Sequence, residues 1–323
     1  MSHEQKTVDI DGEVFDVIKP SRLLDGMVLR RGDTYARLGA KDSTLEEQVH
    51  TKALRDRGFP VPEIIESGDY GDNQWYFVET SLGEETFHDR FSAEYQKHGH
   101  VSDETYSSYL AVIDAYMQAQ VAPDNRSTIS AEDFIGACVR EEHLGHVYSY
   151  FEKDFDKHQS AIKKAQDRLE GAPMGILQYD LNPFNVLEGG LIDFELVGYG
   201  PIGYDSLLSA RWATGWWTDY PSRHPISYKL SKEQVAASDK VVEDAMNTQN
   251  LSNASDYMQE FVLIKSAWAC LSAEPPSDEW PSDKIAFARY RANVLDYCVD
   301  TYLSGDNIDY RKLSSIPGGE LET

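Results

Sequence analysis

The strongest constraint in this chain of 323 residues is one extended, largely apolar segment, residues 175–195, that lies between two long stretches of helical pattern. Asp180, Asn185 and Asp193 are among the polar residues that interrupt its apolar runs. A Gly-Gly pair at 189–190 predicts a tight hairpin turn, because glycine readily adopts the backbone angles that such turns need. A hairpin there would place Asn185 and Asp193 at the bases of paired strands, beside the loop that carries Asp180. We therefore expect three polar side chains to converge on an apolar support.

Such a set of side chains suits phosphoryl transfer. This reaction needs a carboxylate that orients or deprotonates the acceptor hydroxyl, and oxygen ligands that hold Mg²⁺ on the phosphates. Mg²⁺ prefers carboxylate and amide oxygens, with water and phosphate in its remaining positions. An Asp followed by an Asn five residues later is usually only a turn when it stands alone, so the interpretation depends on the neighbouring motifs.

The first part of the chain is predicted to be an antiparallel sheet with one helix. Turn pairs at 11–12 and 32–33 separate runs of alternating polarity, which is typical of β-hairpins. A helix is expected near Ser43, which forms a capping-box pattern with Glu46, and it should end at Gly58. The later stretches at about 103–170 and 204–304 have helical patterns, with capping-box signals at 130–133 and 231–234.

Two runs carry a resemblance to a known family: Asp-Leu-Asn-Pro-Phe-Asn-Val-Leu at 180–187 and Leu-Ile-Asp-Phe-Glu at 191–195. They are similar to the catalytic segment of the aminoglycoside phosphotransferase and choline kinase-like family, which commonly shows His-Gly-Asp-Leu-His-Pro-x-Asn-Val-Leu and Ile-Asp-Phe-Glu. The resemblance implies that Asp180 is the catalytic base and that Asn185 and Asp193 bind Mg²⁺. A downstream Gly-Pro-x-x-x-Asp motif is also matched, which implies that Asp205 braces the catalytic loop through backbone hydrogen bonds.

The N-terminal part resembles the same family in order and spacing. Glu47 precedes the Gly-Phe-Pro-Val-Pro run at 58–62 by eleven residues, which implies that it is the family's helix glutamate. Arg37 takes the place of the phosphate-binding lysine, and we expect an ion pair between Arg37 and Glu47. The run at 77–83 resembles the hinge strand, which implies that the backbone around Glu79 hydrogen-bonds adenine.

Three departures from the family pattern weaken the nucleotide-binding half. The usual His and Gly before the catalytic Asp are Gln178 and Tyr179. Gln178 can still hydrogen-bond backbone groups, and we assign it to the nucleotide-binding set. Arg37 keeps the charge of lysine but has a different geometry. The phosphate-covering loop, placed at 21–26, has a single glycine. An active kinase and a nucleotide-binding pseudokinase that acts as sensor or scaffold both remain open.

The resemblance implies an α+β, bilobal, protein-kinase-like fold. The predicted divisions are an N-lobe at 1–79, a hinge at 80–85, a helical C-lobe at 86–313 with the catalytic loop at 175–205, and a disordered tail at 314–323. The predicted function is transfer of the γ-phosphate of ATP, or of another nucleoside triphosphate, with Mg²⁺ to a hydroxyl of an aminoglycoside-like or choline-like small molecule. A protein kinase is less consistent, because no Ala-Pro-Glu-like segment follows Asp193 closely.

Composition limits the partners. With 55 acidic and 30 basic residues the chain carries a formal charge of −25, which repels nucleic acid and anionic membranes. The charge would suit a cationic acceptor, but it equally describes an acidic surface adapted to solubility or to a salty cytoplasm. No apolar stretch approaches the ~18 residues of a membrane helix, and no secretory signal is present, so a cytoplasmic protein is expected. A monomer and a homodimer both remain open.

Two further sets of side chains have open interpretations. Glu195 is either a third carboxylate near the metal or a structural hydrogen-bond acceptor. The aromatic cluster of Trp212, Trp216, Trp217 and Tyr220 either walls the acceptor site through cation–π contacts or packs a helix against the catalytic loop. The three cysteines are too far apart for a close metal-binding pair, and we expect them to be reduced core residues.

Overall fold

The computed structural model describes residues 7–19, 26–194, 196–215, 228–271, 276–277 and 279–317. These residues form a sheet-rich N-lobe and a helical C-lobe, and the segment 81–86 connects the last strand of the sheet to the next helix. This arrangement agrees with the predicted α+β, bilobal fold class.

The N-lobe is a six-stranded antiparallel sheet with one helix. Its elements are β1 (Thr7–Ile10), β2 (Glu13–Lys19), β3 (Met27–Arg31), β4 (Thr34–Ala40), helix α1 (Lys41–Asp56), β5 (Ile64–Asp69) and β6 (Gln74–Thr80). The strand order in the sheet is β1-β2-β3-β4-β6-β5. Both predicted hairpin turns are present: Asp11 and Gly12 separate β1 from β2, and Gly32 and Asp33 separate β3 from β4. Apolar side chains from one face of the sheet, including the fully buried Leu29 and Ala36, form a small separate core.

Helix α1 begins earlier than the sequence predicted. Its N-cap is Ala40, and the Ser43 hydroxyl lies inside the first turn, where it donates to the Ala40 carbonyl. The capping box predicted for Ser43 and Glu46 is therefore wrong. Strand β4 continues directly into the helix, and the Lys41 amide is satisfied by the Asn73 carbonyl of the β5–β6 turn at 3.1 Å.

The C-lobe is built from helices around one large apolar core. The helices are α2 (Phe87–His98), α3 (Asp103–Val121), α4 (Ala131–Cys138), α5 (Glu141–Tyr150), α6 (Phe155–Leu169), α7 (Tyr204–Gly215), α8 (Lys232–Thr248), α9 (Met258–Leu271) and α10 (Ser282–Ser304). The predicted capping boxes at Ser130 and Ser231 open α4 and α8. Cys138, Cys270 and Cys298 are buried, as expected. Within the described ranges, no helix is long and apolar enough to cross a bilayer.

Short strands and 3-10 turns complete the C-lobe. Strands β7 (Arg126–Ser127), β8 (Met174–Leu177) and β11 (Gly198–Pro201) form one small sheet, and β9 (Val186–Leu187) pairs with β10 (Gly190–Leu191). The 3-10 turns are Pro123–Asn125, Pro183–Asn185, Ala254–Tyr257 and Tyr310–Ser315. The tail was predicted to be disordered from Ser314, but Ser314 and Ser315 belong to the last turn, and the Pro317 carbonyl accepts from the Asn293 side chain at 2.7 Å.

The β9–β10 hairpin joins the two lobes. Its turn consists of Glu188 and Gly189, one residue earlier than predicted, because Gly190 pairs with Leu187. Gly190 has φ 147°, and a Cβ there would lie 2.2 Å from the Pro60 carbonyl oxygen. Glycine is therefore needed at this position for close approach to the N-lobe rather than for the turn. The Leu191 amide donates to the Pro60 carbonyl at 2.7 Å, which anchors the hairpin below the sheet.

Candidate active site

The loop that follows β8 is held by a buried carboxylate at the start of α7. Asp205 Oδ2 accepts hydrogen bonds from the backbone amides of Gln178 and Tyr179 at 2.8 and 3.3 Å. The Tyr116 hydroxyl of α3 donates to the same oxygen at 2.9 Å. Burial raises the pKa of Asp205, while nearby Lys265 and these three donors oppose the shift. The loop backbone is thereby fixed from two different helices.

The Gln178 side chain fixes the end of the hairpin. Its amide nitrogen donates to the Ile192 carbonyl at 2.7 Å and to the Asp193 carbonyl at 2.9 Å. Gln178 is only 2% exposed, and both amide hydrogens are engaged. The hydrogen bonds to backbone that were expected of Gln178 are therefore present, whereas its assignment to the nucleotide-binding set stays a prediction.

Asp180 is the accessible carboxylate of the loop. Its side chain is 33% exposed. Its Oδ1 accepts from the Asn182 amide at 3.0 Å, and the Asn185 amide lies 3.5 Å from Oδ2. Burial raises the pKa of Asp180, while Lys265 and the two asparagine contacts oppose the shift. An oriented carboxylate that still reaches solvent can accept a proton from a bound hydroxyl.

Asn185 and Asp193 come from the two arms of the hairpin. The Asn185 amide donates to the Asp180 carbonyl at 3.0 Å, and the Ile192 amide donates to the Asn185 carbonyl at 3.0 Å. Asp193 has φ 69°, a left-handed conformation that is uncommon for residues other than glycine. Its negative charge raises the pKa of Asp180, so the two carboxylates lie within electrostatic range of each other. The structure thus groups the three residues that the sequence singled out.

The donor set determines what kind of metal site this could be. Among the residues that the structure describes, no group of three His, Cys, Asp or Glu side chains is arranged to hold a metal ion. Asn185 and Asp193 supply one amide and one carboxylate oxygen. Mg²⁺ usually keeps several waters and is bound by one or two carboxylates together with nucleotide phosphates. The residues present therefore fit Mg²⁺ that binds together with a nucleotide, and they do not form a closed protein cage.

A buried charge cluster on the N-lobe faces this site. Arg37 Nε of β4 lies 3.5 Å from Glu79 Oε1 of β6 and 3.9 Å from Glu47 Oε1 of α1, so the expected Arg37–Glu47 ion pair is present. All three side chains are less than one-fifth exposed. The Glu79 carboxylate therefore contacts Arg37, and backbone recognition of adenine near Glu79 stays a prediction.

Two carboxylates share one guanidinium in this cluster. Burial raises the pKa of Glu79 to about 7, with a further contribution from Glu47, while Arg37 opposes the shift. Burial also raises the pKa of Glu47. Burial lowers the pKa of Arg37, but the charges of Glu47, Glu79 and Asp193 outweigh it and leave the pKa above its usual value. Because the charge of Asp193 raises the pKa of Arg37, the C-lobe carboxylate lies within electrostatic range of the N-lobe cluster.

The profile of the phosphotransferase enzyme family matches residues 9–233, which is well over half of the chain. This chain belongs to the phosphotransferase enzyme family. The resemblance in the catalytic segment and the predicted enzyme class, a phosphotransferase, are thereby confirmed. No curated protein matches the sequence of this phosphotransferase.

Solved structures with the same architecture support the fold of the phosphotransferase. A thermostable mutant of the aminoglycoside phosphotransferase APH(4)-Ia in its apo form has a TM-score of 0.52 at 14% identity, over 93% of this chain and 95% of that one. A ternary complex of such a mutant with ADP and hygromycin B has a TM-score of 0.52 at 14% identity, over 90% and 93% of the two chains. The corresponding AMP-PNP complex has a TM-score of 0.52 at 15% identity, over 91% and 95%. At this identity the likeness confirms the predicted bilobal, protein-kinase-like fold.

One residue of the phosphotransferase's site was missed in the sequence. Lys265 on α9 is 4% exposed, and its Nζ donates to the Tyr179 carbonyl at 2.8 Å. The same Nζ lies 3.8 Å from Asp180 Oδ1 and 3.7 Å from the centre of the Trp268 ring. The only sequence signal was a single lysine inside the apolar run at 261–271, which does not identify its partner.

Several predicted features of the phosphotransferase fall outside the described residues. They are Glu195, most of the phosphate-covering loop at 21–26, and the side chains of the aromatic cluster formed by Trp212, Trp216, Trp217 and Tyr220. Both interpretations given for Glu195 and for the aromatic cluster stay predictions.

Proposed function

We propose that this phosphotransferase moves the γ-phosphate of ATP, or of another nucleoside triphosphate, to a hydroxyl group of a small molecule. The observation that carries the proposal is the hydrogen-bonded unit of Asp180, Asn182 and Asn185 beside Asp193. In the reaction the acceptor oxygen forms a bond to the γ-phosphorus, the bond from that phosphorus to the bridging oxygen breaks, and the nucleoside diphosphate leaves. The hydroxyl proton goes to Asp180.

Asp180 is suited to the role of base by position. Asn182 and Asn185 hold its carboxylate through contacts of 3.0 and 3.5 Å, so the side chain needs little reorganisation when an acceptor binds. A preorganised carboxylate of this kind is expected to raise the rate by about 10²- to 10⁴-fold.

Asn185 and Asp193 are the residues that would hold Mg²⁺ in this proposal. The metal, when bound, neutralises charge on the phosphates. Gln178 contributes indirectly, because its amide fixes the Asp193 carbonyl at 2.9 Å and so limits the positions of the Asp193 side chain.

Arg37 is the residue proposed to contact the phosphates. Glu47 and Glu79 hold its guanidinium at 3.9 and 3.5 Å, and its planar fork matches phosphate oxygens. Nucleotide use is further supported by the ADP and AMP-PNP complexes of the APH(4)-Ia mutants. Those complexes also contain hygromycin B, so an aminoglycoside-like or other hydroxyl-rich small molecule is the acceptor class proposed here.

A second candidate is a nucleotide-binding pseudokinase. It is favoured by Arg37 in the position of the usual lysine and by Gln178 and Tyr179 in the positions of the usual His and Gly. The two candidates differ in turnover: both predict that Mg²⁺-ATP raises the melting temperature, but only the enzyme transfers phosphate.

The deciding experiment compares Asp180→Ala with the wild type and with Asp72→Ala, an exposed carboxylate in the β5–β6 turn that serves as control. Radiolabelled γ-phosphate transfer is measured against a panel of aminoglycosides, amino alcohols and sugars, and Mg²⁺-ATP binding is measured by thermal shift. We expect Asp180→Ala to lose about 10²- to 10⁴-fold in kcat while the thermal shift is kept. Full turnover in Asp180→Ala would refute the base assignment. A wild type that shows the thermal shift without any transfer or ATP hydrolysis would identify the pseudokinase.

A further inference from the structure

Tyr179, the residue before Asp180, has a backbone conformation that glycine normally supplies. Its φ is 65°, in the left-handed region that side chains with a Cβ seldom occupy. It connects β8 to the proposed base, so its φ and ψ angles determine where the Asp180 side chain begins. A tyrosine can hold this conformation only if its surroundings compensate for the strain.

Three contacts on the C-lobe provide part of that compensation. The Tyr179 amide donates to Asp205 at 3.3 Å, and the Tyr179 hydroxyl donates to the Tyr199 carbonyl of β11 at 2.7 Å. The ring lies directly on Gly198, where a Cβ would come within 2.5 Å of ring carbon Cε2. The amide and the ring of Tyr179 are thus fixed, and the carbonyl that leads to Asp180 remains to be anchored.

Lys265 provides this remaining anchor. Its Nζ donates to the Tyr179 carbonyl at 2.8 Å, from a helix that begins 79 residues after Tyr179 in the sequence. The ammonium is buried between the Asp180 carboxylate at 3.8 Å and the Trp268 ring at 3.7 Å, which fixes it laterally. A buried cation is costly unless charges or hydrogen bonds compensate for the lost water, so a lysine kept at this point is held by specific contacts.

We propose that Lys265 is a positioning residue. By binding the Tyr179 carbonyl it holds Tyr179 in the left-handed conformation, and it thereby orients the base Asp180. This inference rests on the proposed role of Asp180. Lys265 acts through the loop, because its ammonium contacts the Tyr179 carbonyl more closely than any atom of the Asp180 side chain.

The test is a double-mutant cycle that combines Lys265→Met with Tyr179→Gly. Glycine adopts φ 65° without steric cost, so a loop with glycine at 179 depends less on the lysine. We expect Lys265→Met to lower kcat by about 10- to 100-fold in the wild-type background, because small displacements of a catalytic group are costly. The KM for ATP should stay within about twofold. In the Tyr179→Gly background, the fold-loss of kcat caused by Lys265→Met should be at least threefold smaller than in the wild-type background. This difference is the coupling between the two residues that the cycle measures.

A matched control is Lys153→Met, which removes a lysine that is 13% exposed and pairs with Asp296 at 2.8 Å on the C-lobe, outside the site. It should leave kcat unchanged. Equal losses from Lys265→Met in both backgrounds, or an unchanged kcat, would overturn the proposal. If Lys265→Met does not fold, Lys265→Arg takes its place in the cycle. Its loss of kcat should be smaller, and this loss should again be reduced in the Tyr179→Gly background.

Failure of this inference is distinguishable from failure of the proposed function. Asp180→Ala is assayed in the same series. If Asp180→Ala is inactive while Lys265→Met is fully active, only the role of Lys265 is refuted. If Asp180→Ala is fully active, the base assignment is refuted, and the coupling between Tyr179 and Lys265 is still measured by urea unfolding of the four variants.

Discussion

The catalytic loop of the C-lobe and the charge cluster of the N-lobe organise polar groups in opposite ways. In the loop, Asp180 and Asp205 are held by several hydrogen bonds of 2.8 to 3.5 Å, mostly from amide groups. In the cluster, one cation serves two glutamates through longer contacts of 3.5 and 3.9 Å. Arg37 Nε has no hydrogen-bond partner of ideal geometry among the described residues. The loop is preorganised, whereas the cluster has an excess of negative charge around a single guanidinium.

This contrast indicates that the cluster, and not the loop, depends on a bound ligand or proton for its stability. A loop whose backbone amides and carboxylates already form hydrogen bonds needs few further groups to keep its shape. A buried cluster with two carboxylates and one guanidinium lowers the stability of the folded protein. This destabilisation decreases if one carboxylate takes up a proton. We therefore expect substitutions in the loop to change turnover, and substitutions in the cluster to change stability and nucleotide binding with a marked dependence on pH.

Removal of Arg37, the cation of the cluster, should have the largest effect on the free energy of unfolding. Arg37→Ala leaves Glu47 and Glu79 buried without their partner, which should cost about 3 kcal/mol of the free energy of unfolding at pH 8. At pH 6 the loss should be smaller, because Glu79, whose pKa is raised to about 7, can then bind a proton. The KM for ATP should also rise by about 10- to 100-fold if Arg37 contacts the phosphates.

Urea unfolding at pH 6 and pH 8 checks the first part of this prediction, and initial-rate kinetics check the second. Arg31→Ala is the control, since Arg31 pairs with Glu13 on the same sheet but both side chains are more than 40% exposed. An exposed pair of this kind contributes at most about 1 kcal/mol. Equal destabilisation by Arg37→Ala and Arg31→Ala would contradict the prediction that Arg37 stabilises the fold more than an exposed arginine because its partners are buried.

The sequence predicted the elements of the site better than their contacts. The hairpin turns of the N-lobe followed from local patterns, because hairpins are determined by neighbouring residues. The two lobes and the pairing of Arg37 with Glu47 followed from the resemblance to the phosphotransferase family. The start of α1 at Lys41 could not be predicted in this way, because the Asn73 carbonyl, from a distant turn, replaces the expected side-chain cap. Local patterns cannot show such a tertiary contact.

The hydrogen-bond partners of Gln178 and Lys265 could not be predicted from the sequence for the same reason. Gln178 was expected to hydrogen-bond backbone groups and does so, but the sequence did not identify the carbonyls of Ile192 and Asp193 as its partners. Lys265 lies 86 positions after Tyr179, and a lone lysine in an apolar helix gives no indication of the group it meets. Burial decides both cases, since a polar side chain that is removed from water must find a partner within the fold.

The pH dependence of stability should depend on Glu79. Its pKa is raised from 4.5 to about 7 in the folded protein, mainly by burial. The folded state therefore binds the proton more tightly than the unfolded state does, and this contribution is full below about pH 4.5 and is lost as the pH rises through 7. Glu79→Gln mimics the protonated acid, so its free energy of unfolding should change less than that of the wild type.

Between pH 5 and pH 8 we expect the wild type to lose on the order of 2 kcal/mol relative to Glu79→Gln, as measured by urea unfolding in one buffer series. Glu63→Gln is the control, because Glu63 is 60% exposed and pairs with Arg55 at the surface. Parallel pH profiles for the wild type and Glu79→Gln would show that Glu79 is ionised in the folded and unfolded states alike.

The smallest expected effect concerns Gln178, whose side chain lacks one hydrogen bond. The side-chain oxygen of Gln178, Oε1, is buried and lacks a hydrogen-bond partner among the described residues. The side-chain nitrogen, Nε2, donates to the Asp193 carbonyl. Gln178→Ala removes that contact and should lower kcat by about 10-fold, the cost of one neutral hydrogen bond to a positioned group. Gln178→His keeps a ring donor without the unsatisfied oxygen, and its kcat should stay within about threefold of the wild type. Initial rates at saturating ATP and Mg²⁺ measure both. A Gln178→Ala variant as active as the wild type would mean that the hairpin holds Asp193 by itself, and the loop would then be more robust than its hydrogen bonds suggest.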